Sequence, residues 1–263
     1  MIIYKSDPEI QAIREANQVV ARILGELAEK VRPGVTTLEL DRYAEKRCRE
    51  LGAQPAFKGY RGFPASLCTS LNEEIVHGIP SKRKLKEGDI LSIDFGTILD
   101  GFYGDAAVTF PVGTITPEAQ RLVAAAEESF YRGIEHAVPG NRIGDISAGV
   151  QAYVESQGFS VIRNFVGHGI GFSLHEEPQV PNFGLAGHGP KIKPGMVIAI
   201  EPMIAAGDWD VEVLADNWTA VTRDRSLSAH HEHTIAVTED GPRILSALKE
   251  SEGRTTLKEP LHA

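Results

Sequence analysis

The chain has 263 residues, 42% of them hydrophobic, and 27 Lys and Arg against 36 Asp and Glu give a formal charge of −9. That balance excludes charge-driven attraction to nucleic acid or to an anionic membrane surface, and two cysteines, Cys48 and Cys68, are too few for a disulfide framework. No run reaches transmembrane length and MIIYKSDPEIQ lacks the apolar core of a signal peptide, so a cytoplasmic protein without membrane attachment is expected.

Ser6 or Asp7 can cap a first helix that Pro8 starts and that runs, with apolar residues at helical spacing, until Pro33-Gly34 stops it. Thr36 or Thr37 caps a second helix, LELDRYAEKRCREL, which ends at Gly52. An aromatic, glycine-rich loop, GYRGFPASLCTSLNEEIVHGIP, and a charged turn, SKRKLKEG, lead into GDILSIDFGTILDGFYGDAAVTFPV. That stretch is apolar enough for two buried strands, yet it carries Asp94 and Asp105. In the second half Thr116-Pro117-Glu118 starts a helix to Val138, and Pro139-Gly140 stops it.

The two stops stand 106 positions apart, as do the helix-ending glycines Gly52 and Gly158, while LKEGDILSID aligns with IKPGMVIAIE at an offset of 107. Asp94 then falls on Glu201, and a looser match of GDAAVTFPV with HEHTIAVTE sets Asp105 against Glu232. Each half reads as helix, helix, strands, with an acid at an equivalent strand end. The expected fold is α+β, one curved antiparallel sheet covered by helices. Residues 1–250 form one domain with halves at about 1–115 and 116–250, and a polar tail occupies 251–263.

In such a fold Asp94, Asp105, Glu201 and Glu232 converge. Four buried carboxylates repel and largely protonate unless a cation neutralises them. Four acids with one or two imidazoles suit two divalent ions bridged by carboxylates and a water. His168 and His175, in FVGHGIGFSLHEEP, and His77, in EIVHGIP, are the imidazole candidates. A lone His in such a loop is more often structural, but three beside an acid cluster favour function. His230, His231 and His233 flank Glu232; strand alternation lets at most one point inward, and Glu232 and His231 cannot share a face. His136, His188 and His262 have no such context. The oxygen-rich set favours Mn, Fe or Co over zinc, which stays possible, and the chemistry implied is hydrolysis. There is no phosphate loop or nucleophile elbow, and GHGIG lacks the context of a dinucleotide fingerprint.

The ordered set SIDFG, GFYGD, GHGIG-x-x-x-HEEP, IEPM and EHT closely resembles the bacterial type I methionine aminopeptidases, across roughly residues 2–245. The resemblance implies the pseudo-twofold "pita-bread" fold, which agrees with the duplication. It implies that Asp94 binds one metal, His168 and Glu201 the other, and that Asp105 and Glu232 bridge them. His175 and His77 would contact the scissile peptide, with Glu201 a proton shuttle. Tyr60, Phe63, Cys68, Leu174 and Trp218 fall on the lining positions of the methionine pocket, although relatives commonly have Tyr at Phe63 and Phe at Leu174. The substrate implied is the N-terminal Met of peptides and nascent chains, when the second residue is small, met by a monomer with the ribosome as a candidate partner. Two alternatives remain: an Xaa-Pro dipeptidase or aminopeptidase, whose relatives usually carry a further N-terminal domain, and a noncatalytic binding module, which would have lost metal ligands.

Overall fold

The computed structural model describes residues 1–248, so the tail assigned to 251–263 lies outside the described residues. Helix α1 (Asp7–Ala28) begins with Glu9 Oε2 accepting the Ser6 N–H at 2.7 Å and Pro8 in its first turn. Helix α2 (Thr37–Glu50) is closed reciprocally: Thr36 Oγ1 accepts the Glu39 N–H at 3.2 Å and Glu39 Oε2 accepts the Thr36 N–H at 2.8 Å. Thr116 Oγ1 caps α3 (Pro117–Ile134), and α4 (Ile143–Ser156) follows Pro139-Gly140. Both long helices end before their Pro-Gly pairs, α1 at Ala28 and α3 at Ile134 and not at Val138. Proline disfavours helical backbone in the residue before it. That rule reaches only Arg32 and Val138, and each helix has already ended by then in tighter turns, Lys30 N–H to Leu27 C=O at 2.8 Å and Ala137 N–H to Ile134 C=O at 2.9 Å.

Among the described residues the main sheet has nine strands, all paired antiparallel. Its path runs Gln54–Pro55, Ile90–Leu99, Phe102–Pro111, Glu232–Thr238, Val197–Ile200, Gly167–Gly169, Glu176–Val180; Cys68–Leu71 adds to Ile90–Leu99, and Gly241–Ile244 to Glu232–Thr238. The expectation of one sheet is incomplete, because two three-stranded sheets flank it. One joins Ser228–His230, Met203–Ala205 and Ser160–Val161; the other joins Val211–Val213, Ala220–Thr222 and Glu74–Val76. The first arises where two neighbouring strands leave the main sheet together. Ile200 pairs with His233 on one side of the break and Met203 with His230 on the other. Between them Pro202 has no N–H to give, and its carbonyl takes the His231 N–H at 3.1 Å. Glu201 and Glu232 flank this crossing point.

Side-chain alternation decides what each face carries. Ile93 and Phe95 pack under α1 and α2 with Val20, Leu27 and Leu40, while Ile198, Ile200 and Ile235 pack with Phe130 of α3 and Ile146 of α4. Burying each such side chain contributes roughly 1.5–3 kcal/mol. A one-residue slip of Ile90–Leu99 would turn Asp94 under the helices and Phe95 away from them, so the register is firmly set. Close approach of α1 to the hairpin requires glycine at Gly104, where a Cβ would stand 2.7 Å from Asn17 N. Asn17 Oδ1 then accepts the Asp105 N–H at 3.2 Å, and Thr97 Oγ1 donates to the Ala16 carbonyl at 2.9 Å.

Candidate active site

The four acids meet on the concave face of the main sheet. Ala107 pairs with Asp94 on one side and with Glu232 on the other, so these acids flank one rung, and Asp105 stands two residues along the same strand face. Asp94 and Asp105 lie within their strands, Glu232 starts one, and Glu201 follows the end of Val197–Ile200. The expected equivalence at strand ends therefore does not hold: Pro202 ends the ladder after Glu201, while Phe95 and Gly96 carry it on past Asp94. His168 is centred on Gly167–Gly169 and pairs with Ala199, which itself pairs with Thr234. Its flanking glycines are needed because a Cβ at Gly167 would lie 2.4 Å from the Ala199 carbonyl oxygen, and one at Gly169 2.3 Å from that of Glu177.

Asp105, Glu232 and His168 are buried. Burial raises Asp94 to about 7, and it pushes Asp105, Glu201 and Glu232 well above the usual carboxylate range, mutual repulsion adding to the effect. Among the described residues no Lys or Arg ion-pairs with any of the four. Asp94 Oδ1, Asp105 Oδ1 and Glu232 Oε1 are buried without hydrogen-bond partners. Polar atoms so placed call for a cation. One ligand atom each from Asp105, His168 and Glu232 lie within 4.8 Å of one another, as do atoms from Glu201, His230 and Glu232. His168 Nδ1 donates to the Gly169 carbonyl at 2.9 Å, which leaves the Nε2 lone pair facing Glu201 Oε1 at 3.5 Å. Burial lowers His168 to about 4, so it is neutral at physiological pH. These donors fit divalent metal ions.

The same cavity holds every residue singled out for the substrate: Tyr60, Phe63, Cys68, His77, Leu174, His175 and Trp218. His175 stacks on Tyr60 with ring centroids 5.3 Å apart, and its Nδ1 shares a 2.9 Å hydrogen bond with Tyr60 Oη. Its ring is 4.3 Å from that of His168, which sets it beside the acid cluster. Burial lowers His175 to about 3 and also lowers His77. His77 has φ 61° and meets Phe165 edge-on, while Phe63 meets Trp218 edge-on at 5.1 Å. Burial, with the acids nearby, pushes the Cys68 thiol well up, which disfavours the thiolate at this wall of the cavity.

Sequence reading missed part of this wall: Phe57, Val76, Phe165, Val166 and Met203 also line the cavity. Their types are ordinary core residues, and only the fold turns them inward. Alternation allowed at most one of the three histidines beside Glu232 to point inward and excluded His231, and the structure turns His230 to the acids. Its Nε2 lies 3.8 Å from Glu232 Oε2, whereas His231 and His233 turn away onto Phe130, at 5.8 and 5.0 Å.

Comparison with known proteins agrees with this geometry. The family model of metallopeptidase family M24 matches residues 11–239. The chain is 54% identical over 249 residues to the methionine aminopeptidase of Clostridium perfringens, covering 95% of this chain and 100% of that one. The crystal structure of methionine aminopeptidase from Thermotoga maritima superposes with a TM-score of 0.92 at 46% identity, covering 94% of this chain and all of that chain. The prolidase from Pyrococcus horikoshii shares the fold alone, with a TM-score of 0.77 at 22% identity over 95% of this chain and 65% of that one.

Proposed function

This chain belongs to metallopeptidase family M24, and from that premise we propose that it hydrolytically removes the N-terminal methionine from peptides and nascent proteins in a metal-dependent reaction. The observation that carries the reading is the cluster of buried, unpartnered carboxylates beside His168, opening into an aromatic pocket. Relatives named methionine aminopeptidase that match nearly end to end support the same substrate.

Asp94 would hold one ion, His168 and Glu201 a second, with Asp105 and Glu232 between them; Mn, Fe or Co suits this oxygen-rich set, with zinc the alternative. Bound there, divalent metal supplies Lewis acidity and lowers the pKa of water. The chain's own residues do the rest. Phe63, Leu174 and Trp218 receive the methionine side chain and exclude water from the peptide bond. Neutral His175, oriented through Tyr60, and His77 stand where they can hydrogen-bond the peptide carbonyl and the peptide N–H. Glu201, which borders the same cavity as His175 and His77, would take a proton from the attacking water and return it to the leaving amine.

The candidate ligands come from both halves of the chain: α1–α2 precede the strands that hold Asp94 and Asp105, and α3–α4 precede Glu201, just past a strand end, and Glu232, which starts a strand. We read residues 1–115 and 116–250 as duplicated halves of one catalytic domain. We place the enzyme in the cytoplasm as a monomer acting on chains emerging from the ribosome, a reading that the two free, buried cysteines suit. A panel of tripeptides tests the specificity. Met-Ala-Ser should lose its methionine, Met-Leu-Ser should react far more slowly, and an Xaa-Pro dipeptide should be untouched. Efficient Xaa-Pro cleavage would move the chain to the prolidase branch.

A further inference from the structure

His230 closes the strand Ser228–His230 and is buried. Its Nε2 has no hydrogen-bond partner and faces two carboxylates, Glu201 Oε2 at 3.9 Å and Glu232 Oε2 at 3.8 Å. Neither separation is a hydrogen bond, but each is only about 1 Å too long for one. The backbone that carries the ring is pinned. Thr109 Oγ1 accepts the His230 N–H at 3.0 Å and donates to the His230 carbonyl at 2.8 Å, and Met203 pairs with it across the small sheet. A buried imidazole nitrogen on such a fixed backbone, left unsatisfied between two acids, is an unfinished interaction, and carboxylates that rotate to meet an ion would finish it.

We propose that His230 is a positioning residue for the metal-binding carboxylates, its Nε2–H donating to Glu201 Oε2 and fixing which oxygen of Glu201 turns towards the ion. Glu201 is the partner that needs such support. It is the one member of the acid tetrad outside a strand, and Pro202 after it removes a ladder donor. Glu232, by contrast, is held by its strand. The inference rests on the metallopeptidase reading and adds to it a sixth residue that orients a ligand without being one.

The test is Mn²⁺ binding to the metal-free protein by calorimetry, with urea unfolding as the check on folding. His230→Leu should weaken binding by about 10–100-fold, the usual effect of losing a residue that orients a metal ligand. His230→Gln, whose side-chain amide can place an N–H at the same point, should bind close to wild type. Should the Leu variant not fold, His230→Met takes its place. Wild-type affinity in the Leu or Met variant would overturn the proposal and leave the metallopeptidase reading intact. Equal weakness in the Gln variant would overturn it as well, since it would make the imidazole lone pair a ligand. Failure of the wild-type protein to bind Mn²⁺ would overturn the metallopeptidase reading itself.

Discussion

Lys5 and Glu176 form an ion pair whose side chains are only 1% and 5% exposed, joining the segment before α1 to the turn that presents His175. Glu176 Oε1 also accepts the Phe172 and Ser173 N–H groups at 2.7 and 3.1 Å, so one carboxylate fastens both the turn and the N-terminal segment. Lys5 is fixed in turn by its own N–H, which donates to the Gly195 carbonyl at 2.7 Å. A charge pair this dry is costly to break from one side, because the survivor stays buried and unpaired. Lys5→Met should therefore lose roughly 3–5 kcal/mol in urea unfolding, and combining it with Glu176→Leu should recover part of that loss. A loss below about 1 kcal/mol would show the pair to behave like a surface one.

Because His175 touches the pocket and not the acids, its removal should separate chemistry from metal binding. His175→Ala should lower kcat by about 10²–10⁴-fold with metal content unchanged. Tyr60→Phe should lower it less, since it removes only the hydrogen bond to Nδ1 that orients the ring. Steady-state kinetics with metal analysis of the same samples checks both.

The acid cluster sets a pH dependence of opposite sign to that of ordinary paired carboxylates. Without metal, burial holds Asp94 at about 7 and the other three well above the usual range, whereas all four ionise near pH 4 when unfolded. The folded state then binds the extra protons, so this contribution is fully present below about pH 4 and is lost as pH rises through 7. The urea midpoint of metal-free protein should fall between pH 5 and pH 8, and saturating Mn²⁺ should remove or reverse that fall. An identical pH slope with and without metal would show that the four carboxylates do not bind it.

Phe63 and Trp218 meet edge to face, and Trp218 also borders His77. Trp218→Ala should cost about 1–3 kcal/mol in kcat/KM for Met-Ala-Ser while leaving Mn²⁺ affinity at the wild-type value. Leu174→Phe and Phe63→Tyr, which install the residues common in relatives, should keep methionine as the preferred residue. Loss of that preference in either would contradict the lining role given to these side chains.

The acid cluster was legible because a carboxylate inside or directly after an apolar strand violates the ordinary rule of burial, as Asp94, Asp105 and Glu232 do within their strands and Glu201 does just past the end of one. Helix starts were legible for an equally local reason, a short polar cap at Ser6 or Asp7 before Pro8 and at Thr36 or Thr37. What sequence could not show depends on contacts made elsewhere in the chain. The break at Pro202 gains its meaning from the matching break at His231 on the neighbouring strand. Phe165, in the loop before Gly167–Gly169, and Met203 line the cavity only because of where the chain turns there. His230 lay between the two cases: alternation said that at most one of the three histidines could point inward, and only the geometry showed that it is His230 and that its nitrogen is unsatisfied.

The central claim is tested most directly by stripping the chain of metal and following methionine release from Met-Ala-Ser as Mn²⁺, Fe²⁺ or Co²⁺ is returned. The account predicts no release without metal, recovery as metal is added, and no recovery in Asp105→Ala or Glu232→Ala proteins that remain folded. Release of methionine at full rate from the metal-free chain, or from either variant, would contradict it.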